Sequence, residues 1–458
     1  MNAIATEMPD DGYEGEYFRL EADLIFLGPP STITNYNVIG TDNKPFNGTF
    51  DGNGHSISRV MVNKRVSNYL SAMTSNCGLF GVVGSNGKVM NIVSRGFIIR
   101  GFSYVGGIVG YNYGTIENCT IQNGKIETEK ENTNYGSYAG GIVGYNEGTV
   151  KNCIVNNSTV ISQENYAGGI AGLNQSLLSG NIAFEVEFYT NQGKHGAITA
   201  SYYNPSMFDN VVSKHATLSN NYYYGCTIRG VANATNIGAN WGDTDGARSI
   251  HVLTLADGII ATGETITYNN QLYAASNTEV TLSTSAGYAV SDIVSSDVNI
   301  NGNTFTMPVQ DVTISATSTP LDSLILTANE ATLNGVTKYW TTFYHPALSY
   351  ALPAGAMALY MKEDMALYML GDGNVVPAGT PVIIMGDTSS ISITKLDSTS
   401  VTNPTDNKLS GTAVATAASS LTTGGKKVYV MSKVNETLGF YEFSGTTIPA
   451  NKAYYVDD

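Results

Sequence analysis

Two stretches of the chain are nearly the same text: residues 104–119 read YVGGIVGYNYGTIENC and residues 138–153 read YAGGIVGYNEGTVKNC. Aligned on the glycine-bracketed apolar pair, four copies emerge. They are Gly78-Leu79-Phe80-Gly81, Gly107-Ile108-Val109-Gly110, Gly141-Ile142-Val143-Gly144 and Gly169-Ile170-Ala171-Gly172, at intervals of 29, 34 and 28 residues. Self-similarity at such a period marks a solenoid, in which each unit buries its apolar face on the next. Each copy continues with an asparagine (Asn86, Asn112, Asn146, Asn174) and then alternates apolar and polar residues, as in TVKNCIV at 149–155. Alternation with period two is the mark of a strand.

Two short strands per repeat, separated by Gly and Asn corners, predict a parallel β-helix. Helical solenoids of this period need two amphipathic helices per unit, which these glycines oppose. Equivalent residues of successive coils then stack about 4.8 Å apart, Asn146 on Asn112 and Asn152 on Asn118. Glycine serves at corners through positive φ or close backbone approach. Asn tolerates the left-handed region, and its amides can form ladders. Ile142 and Val143 are expected in the core and on a strand.

The same phrase does not suit a nucleotide loop. It lacks the Lys-Ser/Thr of a P-loop and opens no helix, so its amides have no phosphate to converge on.

The Gly-Leu-Phe-Gly and Gly-Ile-Val-Gly cores, followed by Asn-x-Gly-x-Ile/Val-x-Asn, resemble the GLUG-type repeat of bacterial surface proteins, including adhesins and certain secreted peptidases. FNGTFDGNGHSI at 46–57 resembles the coil that opens such arrays. The resemblance covers residues 40–185. It implies architecture and leaves activity open, because in the peptidases catalysis lies in a separate zinc domain whose motif this chain lacks.

Beyond 185 the repeat decays, and 208–218 and 219–228 are expected to be degenerate closing coils. From about 250 to 317 the pattern becomes alternating strands with hairpin signals, Asn269-Asn270 among them. FTMPVQDVTI at 305–314, with Ala286-Gly287-Tyr288, resembles the internalin-type B repeat, which implies a small β-grasp-like spacer. In the last region LPAGAMALY, VPAGTPVII and IPANKAYYV echo one another, each with Pro and Gly or Asn in a turn of type I chemistry. That module resembles a C-terminal β domain of exported proteins from gut Gram-negative bacteria. The expected fold class is therefore all-β: a right-handed parallel β-helix solenoid over 1–245, a B-repeat-like module over 246–319 and a β-sandwich-like antiparallel domain over 320–458.

Charge narrows the choice of partners. With 23 Lys and Arg against 38 Asp and Glu the net charge is −15, and no basic stripe is present to neutralise phosphates. Nucleic acid is excluded as a partner, and a polyanionic glycan is disfavoured unless a cation bridges it. Four cysteines are too few for a disulfide framework. Cys119 and Cys153 occupy equivalent places, and stacked free thiols are expected there rather than a bridge. No run of 18 apolar residues occurs, so no membrane span is expected. The composition, rich in Gly and Tyr and poor in charge, points to an extracellular or cell-surface protein whose export signal or lipid anchor is already removed.

No catalytic constellation is apparent. Glycoside hydrolysis needs two carboxylates held across a bond, but Glu117 and Glu147 sit at non-equivalent places and Glu127, Glu129 and Glu131 fall in a stretch read as a solvated insertion. Asp51, in the sequence DGNG, is expected to be a corner residue bonded to its own backbone. Asp243 and Asp245 lack the further oxygens of a calcium loop. His55, His195, His215, His251 and His345 never pair at metal spacing, so neither a metal nor any cofactor is expected.

Tyr202, Tyr203, Tyr222, Tyr223, Tyr224 and Trp241 gather where the solenoid ends, as a candidate surface for stacking on sugar rings or a protein partner. Their alternative role is to plug the end of the coil stack. The expected function is adhesion or ligand binding, to a host glycan or surface protein, without catalysis. The alternatives are a carbohydrate-active β-helix enzyme, which requires three or more charged side chains clustered on one face, and a fibre subunit growing end to end.

Overall fold

The computed structural model describes residues 1–458 apart from 28–33, 65–75, 130–136, 164–165, 191–193, 203–216, 229–246, 334–335, 414–415, 418–420, 422–426, 435–436, 446 and 458. It is an all-β protein with a short helix at Asn2–Thr6, and it divides into two units, Met1–His251 and Val252–Asp458.

In the first unit the chain returns onto itself at the period of the repeat. One rung comprises Tyr104–Gly106, Val109–Asn112, Thr115–Glu117, Thr120–Gln122 and Lys125–Thr128. Each of these pairs in parallel with its equivalent in the following rung: Tyr104 with Tyr138, Asn112 with Asn146, Ile116 with Val150, Ile121 with Val155 and Ile126 with Val160. The sequence predicts two strands per repeat, and the structure has five. The reason is length: most are three-residue strands with a single inward side chain, so two or three of them in succession read as one alternating run.

The inward side chains form columns. Phe50, Val89, Ile116, Val150 and Leu178 make one, and Val62, Ile99, Ile126, Val160 and Phe188 another, all at most 1% exposed. Each buried Ile, Leu, Val or Phe contributes about 1.5–3 kcal/mol. Cys77, Cys119, Cys153 and Cys226 are buried, free thiols. At the first rung, Met1, Ile4, Ala5 and Met8 pack from the short helix region onto this core.

The corners divide between two devices. Left-handed corners belong mainly to asparagine, with Asn91, Asn118, Asn123, Asn152 and Asn157 at φ between 45° and 57°. The short Asn side chain tolerates this region better than bulkier residues. The glycines of the repeat phrase are not left-handed; they are required by close approach. A Cβ on Gly140 would lie 1.9 Å from the Val143 carbonyl oxygen and 2.6 Å from the Gly172 nitrogen. The longer 34-residue interval arises between Thr128 and Tyr138. Glu127, expected in a solvated insertion, instead lies on the strand Lys125–Thr128 beside core residue Ile126.

In the second unit, Ile259–Gly263, Glu279–Thr284 and Thr304–Thr306 form an antiparallel sheet, and Leu253, Val280, Leu282, Phe305, Met307 and Ile314 form a core. Asn269 and Asn270, both at positive φ, join Thr265–Tyr268 to Gln271–Ala275 in a two-residue hairpin, as the sequence predicts. Further along, Asn329–Leu333, Val336–Phe343, Val382–Gly386, Met357–Met361 and Leu367–Met369 form a five-stranded antiparallel sheet. Both Pro-Ala-Gly turns differ from the type I expectation. Ala356 N–H donates to Pro353 O and Thr380 N–H to Pro377 O, with Gly355 and Gly379 at φ +85° and +74°. Proline opens each turn, and a positive φ at the third position is type II.

Candidate functional site

Three of the six aromatic residues expected to form a binding surface lie on one strand, Asn221–Tyr224, which pairs with Ile182–Phe184 below it and with Ala247–Ser249 above. Alternation splits them. Tyr223 packs against the core, and burial raises its phenol although a hydrogen bond with Ser249 opposes this. Tyr222 and Tyr224 project to the other face of the strand, where the Tyr224 ring lies 6.2 Å from Phe184. Tyr202 ends the strand Thr199–Tyr202. Tyr203 and Trp241 lie outside the described residues, as do Glu131, His215, Asp243 and Asp245. Of the described members, Tyr222 and Tyr224 share a face of this strand and Tyr223 turns to the other.

A different set of tyrosines interlocks on one surface. Tyr104 and Tyr138 open equivalent strands, and their rings stack at 5.5 Å; Tyr138 stacks on Tyr166 of the next rung at 4.9 Å with the planes 2° apart. On the adjoining face Tyr111 stacks on Tyr145 at 4.6 Å and on Tyr113 at 4.5 Å. Edge-to-face contacts lock the two columns together, Tyr104 with Tyr111 and Tyr145, and Tyr138 with Tyr145.

These side chains point outward because their strand neighbours Val105, Ala139 and Ala167 point in, and all but Tyr113 are half-buried. Tyr113 is 45% exposed. The Tyr111 hydroxyl donates to Glu147 at 2.6 Å. Burial, and then the Glu147 carboxylate, raise the Tyr111 phenol far above its ordinary value. Burial pushes Tyr138 up to about 12 and raises Tyr104 and Tyr145 as well. Tyr104, Tyr111, Tyr138 and Tyr145 therefore stay protonated donors throughout the neutral range. The panel offers ring edges, a row of hydroxyls and the face of Tyr113, bordered by the Glu147 carboxylate.

Residues 103–127 and 135–161 match the family described as the GLUG motif. The chain carries this motif twice. Over 117 residues, 24% of its length, the chain is 33% identical to a "Putative Gly-rich membrane protein" of Evansella cellulosilytica. Over 83 residues, 18% of its length, it is 36% identical to "Halomucin" of Haloquadratum walsbyi. It covers 12% and 1% of these two relatives, a small part of either. Among solved structures, a protein described as a "putative immunoglobulin A1 protease" from Bacteroides ovatus aligns with 51% of this chain and 77% of its own, at 19% identity and a TM-score of 0.30. That likeness carries no argument.

The tyrosine panel belongs to the GLUG repeats, with Tyr104, Tyr111, Tyr113, Tyr138 and Tyr145 inside the matched segments. A sequence signal for it existed: tyrosine opens both repeat phrases and precedes Asn112 and Asn146.

The register also assembles charges that sequence reading left scattered. Glu117 bridges Lys88 and Lys151 of the rungs on either side, at 3.2 Å each. Glu127 accepts from Arg100 and Lys125, at 3.1 Å each. Burial works to raise the Glu127 carboxyl, but Lys125 and then Arg100 outweigh it and hold it below its usual range. Each triad sets one carboxylate between two cations, and a Glu127 carboxyl held low is poor general-acid chemistry. Among the described residues no group of three or more His, Cys, Asp or Glu could hold a metal.

Asp51 is 7% exposed and accepts from the Tyr17 hydroxyl at 2.6 Å, from Asn91 Nδ2 at 2.8 Å and from the Asn53 N–H at 2.8 Å. It is the corner residue that the sequence suggests. Removal from water works to raise its pKa, but the three hydrogen bonds and Arg19 prevail and lower it. A carboxyl whose folded pKa lies below its unfolded value near about 4 contributes stability that is fully present above that pH. The contribution is lost as pH falls through the folded value. The melting-temperature gap between the parent and Asp51→Asn is therefore expected to narrow from about pH 5 to about pH 3. A gap that does not change with pH would contradict the assignment.

Proposed function

We propose that the chain is an exported cell-surface protein that binds a glycan or a host surface protein without catalysis, and that its GLUG repeats are the display scaffold. In this reading residues 1–245 form a right-handed parallel β-helix. The in-register parallel pairing from rung to rung supports the helix, and the strong preference of parallel crossovers for one hand supports its handedness. Residues 246–319 act as a spacer and 320–458 as a separate β domain.

The observation that carries the proposal is the interlocked tyrosine panel on the outer faces of the GLUG repeats. A scaffold needs inward apolar residues at these strands, but it has no need of six tyrosines on the outside. Rigid amphipathic rings with fixed hydroxyls supply contact area at low entropy cost, and the neighbouring Glu147 favours a neutral or basic ligand over an acidic one. The short helix region packed on the first rung covers that end of the core, which favours display over end-to-end growth through it.

The test is a screen of the chain against glycan and mucin arrays, repeated with Tyr113→Ala and Tyr145→Ala. Each lost ring is expected to weaken binding about two- to tenfold, corresponding to about 0.5–1.5 kcal/mol, with the circular dichroism spectrum retained. Binding that survives both substitutions at full strength would remove the panel from the proposal.

One observation favours the enzyme alternative, namely the two charge triads, since each places three charged side chains on one face. Reducing-sugar and unsaturated-product assays run on the same panel of polysaccharides decide between the readings. Turnover that is lost in Glu127→Gln or Glu117→Gln would replace binding by catalysis.

A further inference from the structure

The second unit contains one pentapeptide twice. Residues 357–361 and 365–369 both read MALYM. The two copies pair with each other as an antiparallel hairpin, Leu359 opposite Met369, Tyr360 opposite Tyr368 and Met361 opposite Leu367. Their surroundings differ. Met357–Met361 lies inside the five-stranded sheet, between Val382–Gly386 and its own repeat, whereas Leu367–Met369 is the edge strand. On that edge Leu367, Tyr368 and Met369 are 39%, 37% and 53% exposed, and Met365, in the turn before them, is 49% exposed. Sheets ordinarily blunt such an apolar edge with charge, proline or a bulge.

The hydrogen bonding fixes what this edge presents. Lys362 N–H donates to Ala366 O and Leu370 N–H to Ala358 O. In an antiparallel ladder those bonds flank the pairs Met361/Leu367 and Leu359/Met369, so Tyr360/Tyr368 is the pair that exchanges bonds. Tyr368 therefore spends its backbone groups on the hairpin, while Leu367 and Met369 turn their N–H and C=O groups to the open side.

We propose that this edge pairs with the same edge of a second copy of the chain, antiparallel about a two-fold axis through Tyr368. The occupant follows from the sequence repeat, because the hairpin shows this pentapeptide accepting its own copy as an antiparallel neighbour with tyrosine opposite tyrosine. Pairing about that axis sets Leu367 of each copy opposite Met369 of the other, and both are the residues with outward backbone groups. Four N–H to C=O bonds form with no change of register.

The apolar layer continues across the junction. Met361 and Leu359 pack with Trp340 and Ile383, and Leu367 and Met369 lie on the same face of the sheet. Lys362 sits 4.5 Å over the Tyr368 ring and is paired with Asp406 at 2.9 Å, so its charge is already engaged beside the edge. The contact is isologous and consumes the edge, so it closes at a dimer. Three residues per copy bury little area, which makes the association weak and reversible.

Sedimentation equilibrium of the full chain over a concentration series tests this. A monomer–dimer equilibrium is expected. Met369→Lys places a charge on the edge, and Leu367→Pro removes an outward N–H that the hairpin does not use. Each is expected to weaken dimerisation at least about tenfold with the thermal unfolding of the parent retained. Tyr368→Cys, at the two-fold axis, is expected to give a reductant-sensitive covalent dimer that the parent does not form when oxidised glutathione is added to accept the two electrons of each disulfide. A chain that stays monomeric at every concentration, a dimer indifferent to both edge substitutions, or a mass growing beyond the dimer would overturn the proposal.

Discussion

Gly140→Ala is expected to cost the GLUG repeats at least about 4 kcal/mol, among the largest effects of any single methyl group in this chain. The added Cβ would sit 1.9 Å from the Val143 carbonyl oxygen and 2.9 Å from its carbon, with the Gly172 nitrogen of the next rung at 2.6 Å. All three are backbone atoms held by pairing to neighbouring rungs, so no rotamer change relieves the overlap. Gly106 and Gly168, above and below, meet the same obstacle at 2.0 and 1.9 Å. Displacement therefore propagates along the column, as the stacking of a repeat array requires. For a unit of this size the melting temperature should fall by roughly 8–16 °C, or the chain should fail to fold. Gly54→Ala is the internal control: its φ is +74° but nothing lies within 4 Å, so it should cost only about 1–2 kcal/mol. If the two substitutions cost the same, close approach is not what selects glycine at 140.

Asn146→Ala is expected to cost about 2–5 kcal/mol. Asn146 is fully buried and stands in the middle of an amide ladder: Asn112 Nδ2 donates to Asn146 Oδ1 at 2.8 Å, and Asn146 Nδ2 donates to Asn174 Oδ1 at 2.7 Å. The same side chain accepts from the Gly148 N–H at 3.3 Å and donates to Gly148 O at 3.2 Å, closing the corner after its own strand. Truncation leaves one N–H of the Asn112 amide, one lone pair of Asn174 Oδ1 and the Gly148 N–H without a partner, while Asn112 keeps Gly114 O and Asn174 keeps the Ser176 N–H. Each orphan costs about 1–3 kcal/mol, and relaxation recovers part of the sum. Replacing Asn112, Asn146 and Asn174 together by Leu should cost less than three times the single change, because fewer buried polar groups lose a partner. Denaturant midpoints of the single and triple variants measure this, and simple additivity would argue against a cooperative ladder.

Both residues were visible in the sequence, but for different reasons. Asn146 and Asn112 recur at the same place in the repeat, and stacking follows once equivalent residues are assumed to lie one above the other. The core residues Ile142 and Val143 were legible in the same way. The glycines were recognised as constrained, but whether by positive φ or by close approach depends on which backbone lies opposite, and only the register supplies that. Five strands per rung were not legible, because a strand with one inward residue leaves no alternation of its own.

The candidate site was less legible than the fold. Tyr104 and Tyr111 are seven residues apart and meet only because the chain turns a corner at the glycine-rich phrase. Glu117 meets Lys88 and Lys151 only through rungs whose spacings differ. The cluster that drew attention in the sequence, Tyr222 to Tyr224, is contiguous, and contiguity on a strand sends neighbours to opposite faces.

By itself the sequence determined that the chain is all-β, that its first part repeats, and which residues face inward, because an in-register stack buries the same position again and again. The tertiary structure alone decided which outward residues become neighbours. Those meetings occur across rungs and around corners, where distance along the chain has no fixed relation to distance in space.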